Sequence, residues 1–165
     1  MIIIKVWCHL RAFLQKFFYK IIYGDKFKVG RGVTWRRGFS LMKMPDAVIQ
    51  IGNDCFFNNN CSVAANMLIS IGHRTIMGEN VKIYDHNHRF SKDIPIKEQG
   101  FSNGQVYIGD DCWIGSNVVI LKGAHISNHC VIGAGCVISG YIPEWTMVKH
   151  SDDYKMCSIM HSKLD

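Results

Sequence analysis

IGDDCWIGSNVVILKGAHISNHCVIGAGCVI, residues 108–138, decides the fold of this 165-residue chain. Ile108, Ile114, Ile120, Ile126, Ile132 and Ile138 recur every six residues without a slip. Four places after each of the first five stand Cys112, Val118, Ala124, Cys130 and Cys136, all slender and apolar, with polar residues and glycine filling most positions between. A period of six matches neither the ~3.6 of a helix nor the ~2 of a strand, so the repeat itself is the structural unit. Six-residue repeats of this kind make one side of a triangular coil, and stacked coils make an all-β solenoid, the parallel β-helix. The isoleucines then point inward, each stacking on its counterpart one coil away.

Working outward, the runs IGDDCW, IGSNVV, ISNHCV and IGAGCV resemble those of the hexapeptide acyltransferases, whose coil is a left-handed β-helix. Handedness rests on the resemblance alone, since right-handed crossovers are the rule between parallel strands. The resemblance covers most of residues 29–143. It is strongest toward the branch holding galactoside, maltose and xenobiotic acetyltransferases and the O-acetyltransferases of bacterial surface glycans.

Seven cysteines raise the question of disulfides or a metal site. Cys55 and Cys61 are six apart, and Cys112, Cys130 and Cys136 lie at multiples of six, so these five follow the coil and read as small buried residues. No CxxC pair occurs, which suits a reducing cytoplasm. A formal charge of +6 does not make a nucleic-acid binder here, because beyond the N-terminal segment the basic residues are scattered and no nucleic-acid module is present. An anionic acyl-coenzyme A benefits equally from a positive field.

Residues 1–23 read as an amphipathic helix. Ile3, Val6, Trp7, Leu10, Phe13, Leu14, Phe17, Phe18 and Ile21 follow helical spacing, with Lys5, Lys16 and Lys20 mostly opposite. Charges spread through the segment argue against a signal peptide and a spanning helix. Two placements remain: the apolar stripe packs on the β-helix or a neighbouring subunit, or it lies on the inner face of a membrane as a peripheral contact. The β-helix domain follows over 24–147 and a tail over 148–165. Gly24 and Asp25 end the helix, Pro45 and Asp46 mark a turn, and the register slips by two residues near Ser70, a shift expected at a corner. From residue 89 to 105 the repeat stops, giving one external loop.

FNNN at 57–60 reads either as turn residues or as a polar site. Acyl transfer to a hydroxyl needs a base, and histidine has a suitable pKa. Composition cannot choose among eight histidines. The resemblance does: IYDHNH, residues 83–88, matches the segment whose last residue is the catalytic histidine, which is His88. His86, two residues earlier, is the rival base or an acceptor contact, since alternate strand residues share a face. The same resemblance puts Asn60, and less directly Asn58, on acceptor-binding positions, and makes the loop after His88 fold over an acceptor site between subunits, bringing Glu98, Gln99 and Phe101 there. Glu98 is the expected carboxylate that orients the imidazole or binds a sugar hydroxyl; Asp85 is expected at the acceptor or as a lesser orienter. For coenzyme A it implies Trp113 near the reacting end and Ser116 and Ala134 along the pantetheine arm. At the adenine end the pattern breaks, and Lys149 is the candidate phosphate contact.

The reading is thus a homotrimeric cytoplasmic O-acetyltransferase moving acetyl from acetyl-CoA to a sugar hydroxyl of a saccharide or nucleotide sugar, in capsule, exopolysaccharide or lipopolysaccharide synthesis, with no metal. The alternatives are a γ-carbonic-anhydrase-like zinc enzyme using His88, His125 and His129, and a non-catalytic β-helix scaffold.

Overall fold

A computed structural model describes residues 2–150 and 155–158, with side chains at Trp7 and from residue 10 to 150. Helix α1, Ile2–Tyr23, precedes a parallel β-solenoid of about six turns, consistent with the left-handed form that the resemblance implies. Of the expected stripe, the side chains of Ile3 and Val6 lie outside the described residues, as does that of Lys5. Most of the tail expected over 148–165 lies outside them as well; its strand Lys155–Ser158 pairs antiparallel with Thr146–Lys149.

Three parallel sheets form the faces of the coil. The first stacks Phe27–Val29, Val48–Ile51, Leu68–Ile71, Val106–Ile108, His125–Ile126 and Tyr141–Ile142. The second begins with Thr34–Trp35 and runs through Trp113–Ile114 to Thr146–Lys149; the third runs from Ser40–Lys43 through Lys82–Tyr84 to Val137–Ile138. The isoleucines stack as the period requires, Ile108 on Ile126, Ile114 on Ile132 and Ile120 on Ile138. None of the six is more than 3% exposed, and burial on that scale is worth about 1.5–3 kcal/mol for each side chain.

The coil tapers. Partners on the first face are 22 residues apart for Phe27 and Ile49, 20 for Ile49 and Ile69, 18 for Ile108 and Ile126, and 16 for Ile126 and Ile142. Trp35, Phe39 and Phe57 fill the wide early coils, with Trp35 and Phe39 stacked at 4.4 Å. The two-residue slip near Ser70 is taken up along the faces and not at the corner. Ser62–Ala65 and Leu68–Ile71 are four-residue strands around the short corner Asn66–Met67, and each buries two residues: Val63 and Ala65, then Ile69 and Ile71.

All five cysteines of the repeat are free and buried. Each occupies a coil corner, where the thiols of Cys55, Cys61, Cys112 and Cys130 donate to carbonyls of the following coil, as Cys55 does to Gly72 at 2.9 Å. Burial pushes the Cys55 thiol up to about 11.

Helix α1 crosses the open end of the first coil with the face opposite to the one its hydrophobicity suggests. Ala12 is buried and Tyr19 packs on Phe27 and Trp35. Beside them Lys16 Nζ donates to the Val33 carbonyl at 2.8 Å, Gln15 Nε2 to that of Phe39 at 3.3 Å and the Tyr23 hydroxyl to that of Leu41 at 3.3 Å. Gln15 Oε1 accepts from Trp35 Nε1 at 2.8 Å. The apolar stripe therefore does not pack on its own coil. The physical reason is that a first coil has no preceding coil to pair its backbone, so the covering helix must bring donors as well as apolar surface.

Candidate active site

The third-face strand Lys82–Tyr84 ends at Asp85, and the chain then leaves the coil as an antiparallel ribbon. His86, Asn87 and His88 pair with Asn103, Ser102 and Phe101. The expected loop, residues 89–105, therefore follows directly on one strand of the ribbon and contains the other, Phe101–Asn103, while its residues 89–100 lack strand pairing. Lys122 Nζ ties the ribbon to a later coil by donating to Ser102 Oγ at 2.6 Å.

Asp85 is fully buried. Its Oδ1 accepts the Asn66 N–H and its Oδ2 the Met67 N–H, both at 2.7 Å, which satisfies the backbone of the two-residue corner. Oδ1 also lies 3.0 Å from His86 Nδ1. With the carboxylate ionised, this contact requires the His86 proton on Nδ1 and turns Nε2 outward as the acceptor. Asp85, expected at the acceptor, is thus inaccessible to one; it holds the corner and fixes the His86 ring.

His88 is exposed, and its ring nitrogens have no hydrogen-bond partner among the described residues. Phe101 faces both imidazoles, its ring centroid 4.6 Å from that of His88 and 5.2 Å from that of His86. Two histidines and one aromatic wall therefore share one side of the ribbon. Glu98 sits exposed on the short turn Ile96–Glu98 and, among the described residues, contacts neither ring. Gln99, expected toward the acceptor, is turned into the loop: its amide donates to the Lys92 and Ile94 carbonyls at 3.0 and 2.7 Å and accepts the Lys92 N–H at 3.0 Å. The loop's own backbone polar groups explain this, since a single buried amide closes the loop where no strand can.

The remaining expected residues lie along another edge of the coil, between the second and third faces. Asn60 is exposed there at φ 61°, in a column with Asn80, Asn117, Gly38 and Gly135, all left-handed. Asparagine tolerates that conformation, so the turn reading accounts for its presence. Asn58 Oδ1 accepts from Asn59 N–H at 2.9 Å and from Arg36 Nη1 at 3.3 Å. In later coils the same edge carries Ser116, whose Oγ accepts the Glu79 N–H at 3.2 Å, and exposed Ala134. Backbones crowd here: a Cβ on Gly115 would lie 2.6 Å from the Ala134 nitrogen. Trp113 is 56% exposed on the adjoining second face, and Lys149 is exposed at the end of that face's last parallel strand. Within one protomer the third face separates this edge from the histidine ribbon.

His125 and His129 do not join His88. His125 sits on the first face between Tyr107 and Tyr141; His129 stacks on Trp145 at 4.1 Å, with Nδ1 3.1 Å from Asp111 Oδ2. The three histidines of the zinc alternative thus stand on separate parts of the coil, and no metal-holding group of three occurs among the described residues.

Residues 105–140 match the bacterial transferase hexapeptide family (six repeats). This stretch of the coil is thus built of hexapeptide repeats. The chain is 32% identical over 127 residues to the "Putative lipopolysaccharide biosynthesis O-acetyl transferase WbbJ" of Escherichia coli, across 72% of this chain and 65% of that protein. It is 32% identical over 100 residues to the galactoside O-acetyltransferase of E. coli, across 58% of this chain and 46% of that one. It therefore spans roughly half to two thirds of these relatives. A solved galactoside acetyltransferase in complex with coenzyme A shares the fold at TM-score 0.68 and 22% identity, covering 86% of this chain and 70% of that chain. Neither Lys122 as the anchor of the ribbon nor the Asn66–Met67 corner as the seat of Asp85 carries a signal in the repeat. Both depend on contacts about 20 residues apart in the chain.

Proposed function

We propose that this chain is an acyl-CoA-dependent O-acetyltransferase that moves acetyl from acetyl-CoA to a sugar hydroxyl in capsule, exopolysaccharide or lipopolysaccharide synthesis. The observation that carries the reading is the ribbon. Two imidazoles, His88 exposed and His86 half-buried, stand beside one aromatic wall at an edge of a hexapeptide coil whose curated relatives are named acetyltransferases. His88 is the proposed base: it accepts the acceptor hydroxyl proton while the oxygen attacks the thioester carbonyl, and on collapse it returns the proton to the departing thiolate. No acyl-enzyme is needed. Phe101 supplies a flat apolar surface of the kind that packs against a sugar ring.

Trp113, Ser116 and Ala134 are proposed to line the coenzyme A arm, with Lys149 at its phosphates and Asn60 and Asn58 toward the acceptor. These residues and the ribbon lie on different edges of one coil. A homotrimer with parallel coils, each site drawing one edge from each of two neighbours, is the arrangement that lets them share a substrate. The acceptor is a saccharide or nucleotide sugar, and the setting is the cytoplasm, at the inner face of the membrane. A second reading makes His86 the base. It is favoured by the contact with buried Asp85, which a positioned imidazole needs and His88 lacks in the protomer.

Release of free coenzyme A from acetyl-CoA across a panel of nucleotide sugars and oligosaccharides tests both. His88→Ala is expected to lower acceptor-dependent turnover by about 10²–10⁴-fold with cofactor binding retained, and His86→Ala by much less. The reverse order assigns the base to His86. No cofactor binding in the wild type overturns acyl transfer and leaves the scaffold reading.

A further inference from the structure

With its polar face turned into the coil, α1 presents an apolar face away from the molecule. Trp7, Leu10, Leu14, Phe17, Phe18 and Ile21 are 49–66% exposed. Because the helix crosses the open end of the first coil, this face looks outward along the coil axis. Contiguous apolar surface of that extent marks an interaction site, not ordinary surface scatter.

Charge selects the partner. Residues 1–31 hold seven basic residues and one acid, Asp25, while residues 32–165 hold twelve of each sign. The whole formal charge of +6 thus belongs to the end that bears the apolar face. Lys20 and Lys28 line an open groove of about 650 Å³ at the foot of α1, with Gly24, Asp25, Phe27 and Val29. A second copy meeting this end would bring two such positive ends together, which is electrostatically unfavourable. An anionic bilayer surface matches both features, with acyl chains for the aromatic and aliphatic face and headgroups for the lysines. No helix among the described residues is long and apolar enough to cross a membrane, so the contact is interfacial.

We propose that α1 is an interfacial anchor for an anionic phospholipid bilayer, lying flat with Trp7, Leu10, Leu14, Phe17 and Ile21 at the acyl boundary and Lys20 and Lys28 among the headgroups. The coil then stands on the surface with its axis upright, and the histidine ribbon projects sideways above the headgroups. The proposal deepens the peripheral location given above and rests on that part of the functional reading alone, not on acyl transfer.

The test is co-sedimentation of the full chain, without acetyl-CoA, with vesicles of phosphatidylcholine alone or mixed with phosphatidylglycerol. Wild type is expected to bind the mixed vesicles roughly tenfold or more better than the neutral ones, with high salt weakening the binding. Leu14→Gln with Phe17→Gln is expected to lower binding roughly tenfold; Lys20→Gln with Lys28→Gln is expected to lower it on the mixed vesicles only. Thermal melting checks that each variant folds. Equal sedimentation of wild type and the Leu14/Phe17 variant overturns the proposal, as does failure of wild type to bind either vesicle. Self-association in sedimentation velocity that this variant abolishes, with no vesicle binding by wild type, assigns the face to a second copy. Coenzyme A release measured in free solution reports separately on acyl transfer.

Discussion

Between Ile108 and Ile132 every strand has a coil on either side, whereas the first coil, from Phe27 to Lys43, has a coil on one side and α1 on the other. In the first region backbone pairing is complete within the stack, so side-chain size and polarity alone decide what faces inward. At the foot, the Val33, Phe39 and Leu41 carbonyls take donors from Lys16, Gln15 and Tyr23, and the need for those donors outweighs the hydrophobic preference of the helix. Hydrophobic pattern is therefore a sound guide to orientation only where hydrogen bonding is already satisfied.

The contrast breaks if an inward residue of the repeat tolerates charge. Ile120→Asp, placing a carboxylate where 0% of the side chain is exposed, is expected to cost about 4 kcal/mol or more and to prevent folding at ordinary temperatures, read from soluble yield and melting. On α1 a polar residue turned into the coil should matter more than the outward aromatic ones. Gln15→Leu leaves the Trp35 indole N–H without its 2.8 Å acceptor and is expected to cost about 1–3 kcal/mol in urea unfolding, although it makes the helix more apolar.

The thiol corners sharpen the comparison through pH. Cys55 has its folded-state pKa raised by burial from 9.0 to about 11. A group raised on folding gives its full stability below the unfolded value and loses it as pH climbs toward the folded value, so stability should hold to about pH 8 and decline between 9 and 11. Between about pH 8 and 9.5 the expected loss from this thiol is on the order of 1 kcal/mol, and it should disappear in Cys55→Ala. The smallest effect belongs to the outward helix face: Phe17→Gln should change stability by no more than about 0.5 kcal/mol, and a larger loss would place that ring in contact with the coil.

Much of this architecture is written in single residues. The six-residue isoleucines give the faces, and the cysteine spacing gives the slender corners, because each is repeated by every coil. The break after His88 is legible for the same reason, as a repeat that fails. What stays hidden is set by groups without a periodic signature. The facing of α1 depends on three carbonyls of the first coil. The role of Asp85 depends on two N–H groups 18 and 19 residues earlier in the chain. Gln99 looks from sequence like any exposed loop residue, yet it closes the loop from within. Asn60 shows the opposite problem, since a left-handed corner and a ligand contact both favour the same side chain.

The taper described for the coil makes the molecule modular at one end only. Between Ile108 and Ile132 a duplicated unit of 18 residues, the spacing of Ile108 and Ile126, would find matching neighbours above and below and lengthen the rod by about 4.8 Å, the spacing of paired strands. The same unit placed between Phe27 and Ile69 would meet circumferences of 22 and 20 residues and could not keep its isoleucines in line. Lengthening of this rod by copied segments is therefore open only beyond the ribbon, so its foot, with α1 across it, keeps a fixed cross-section whatever the height of the coil above.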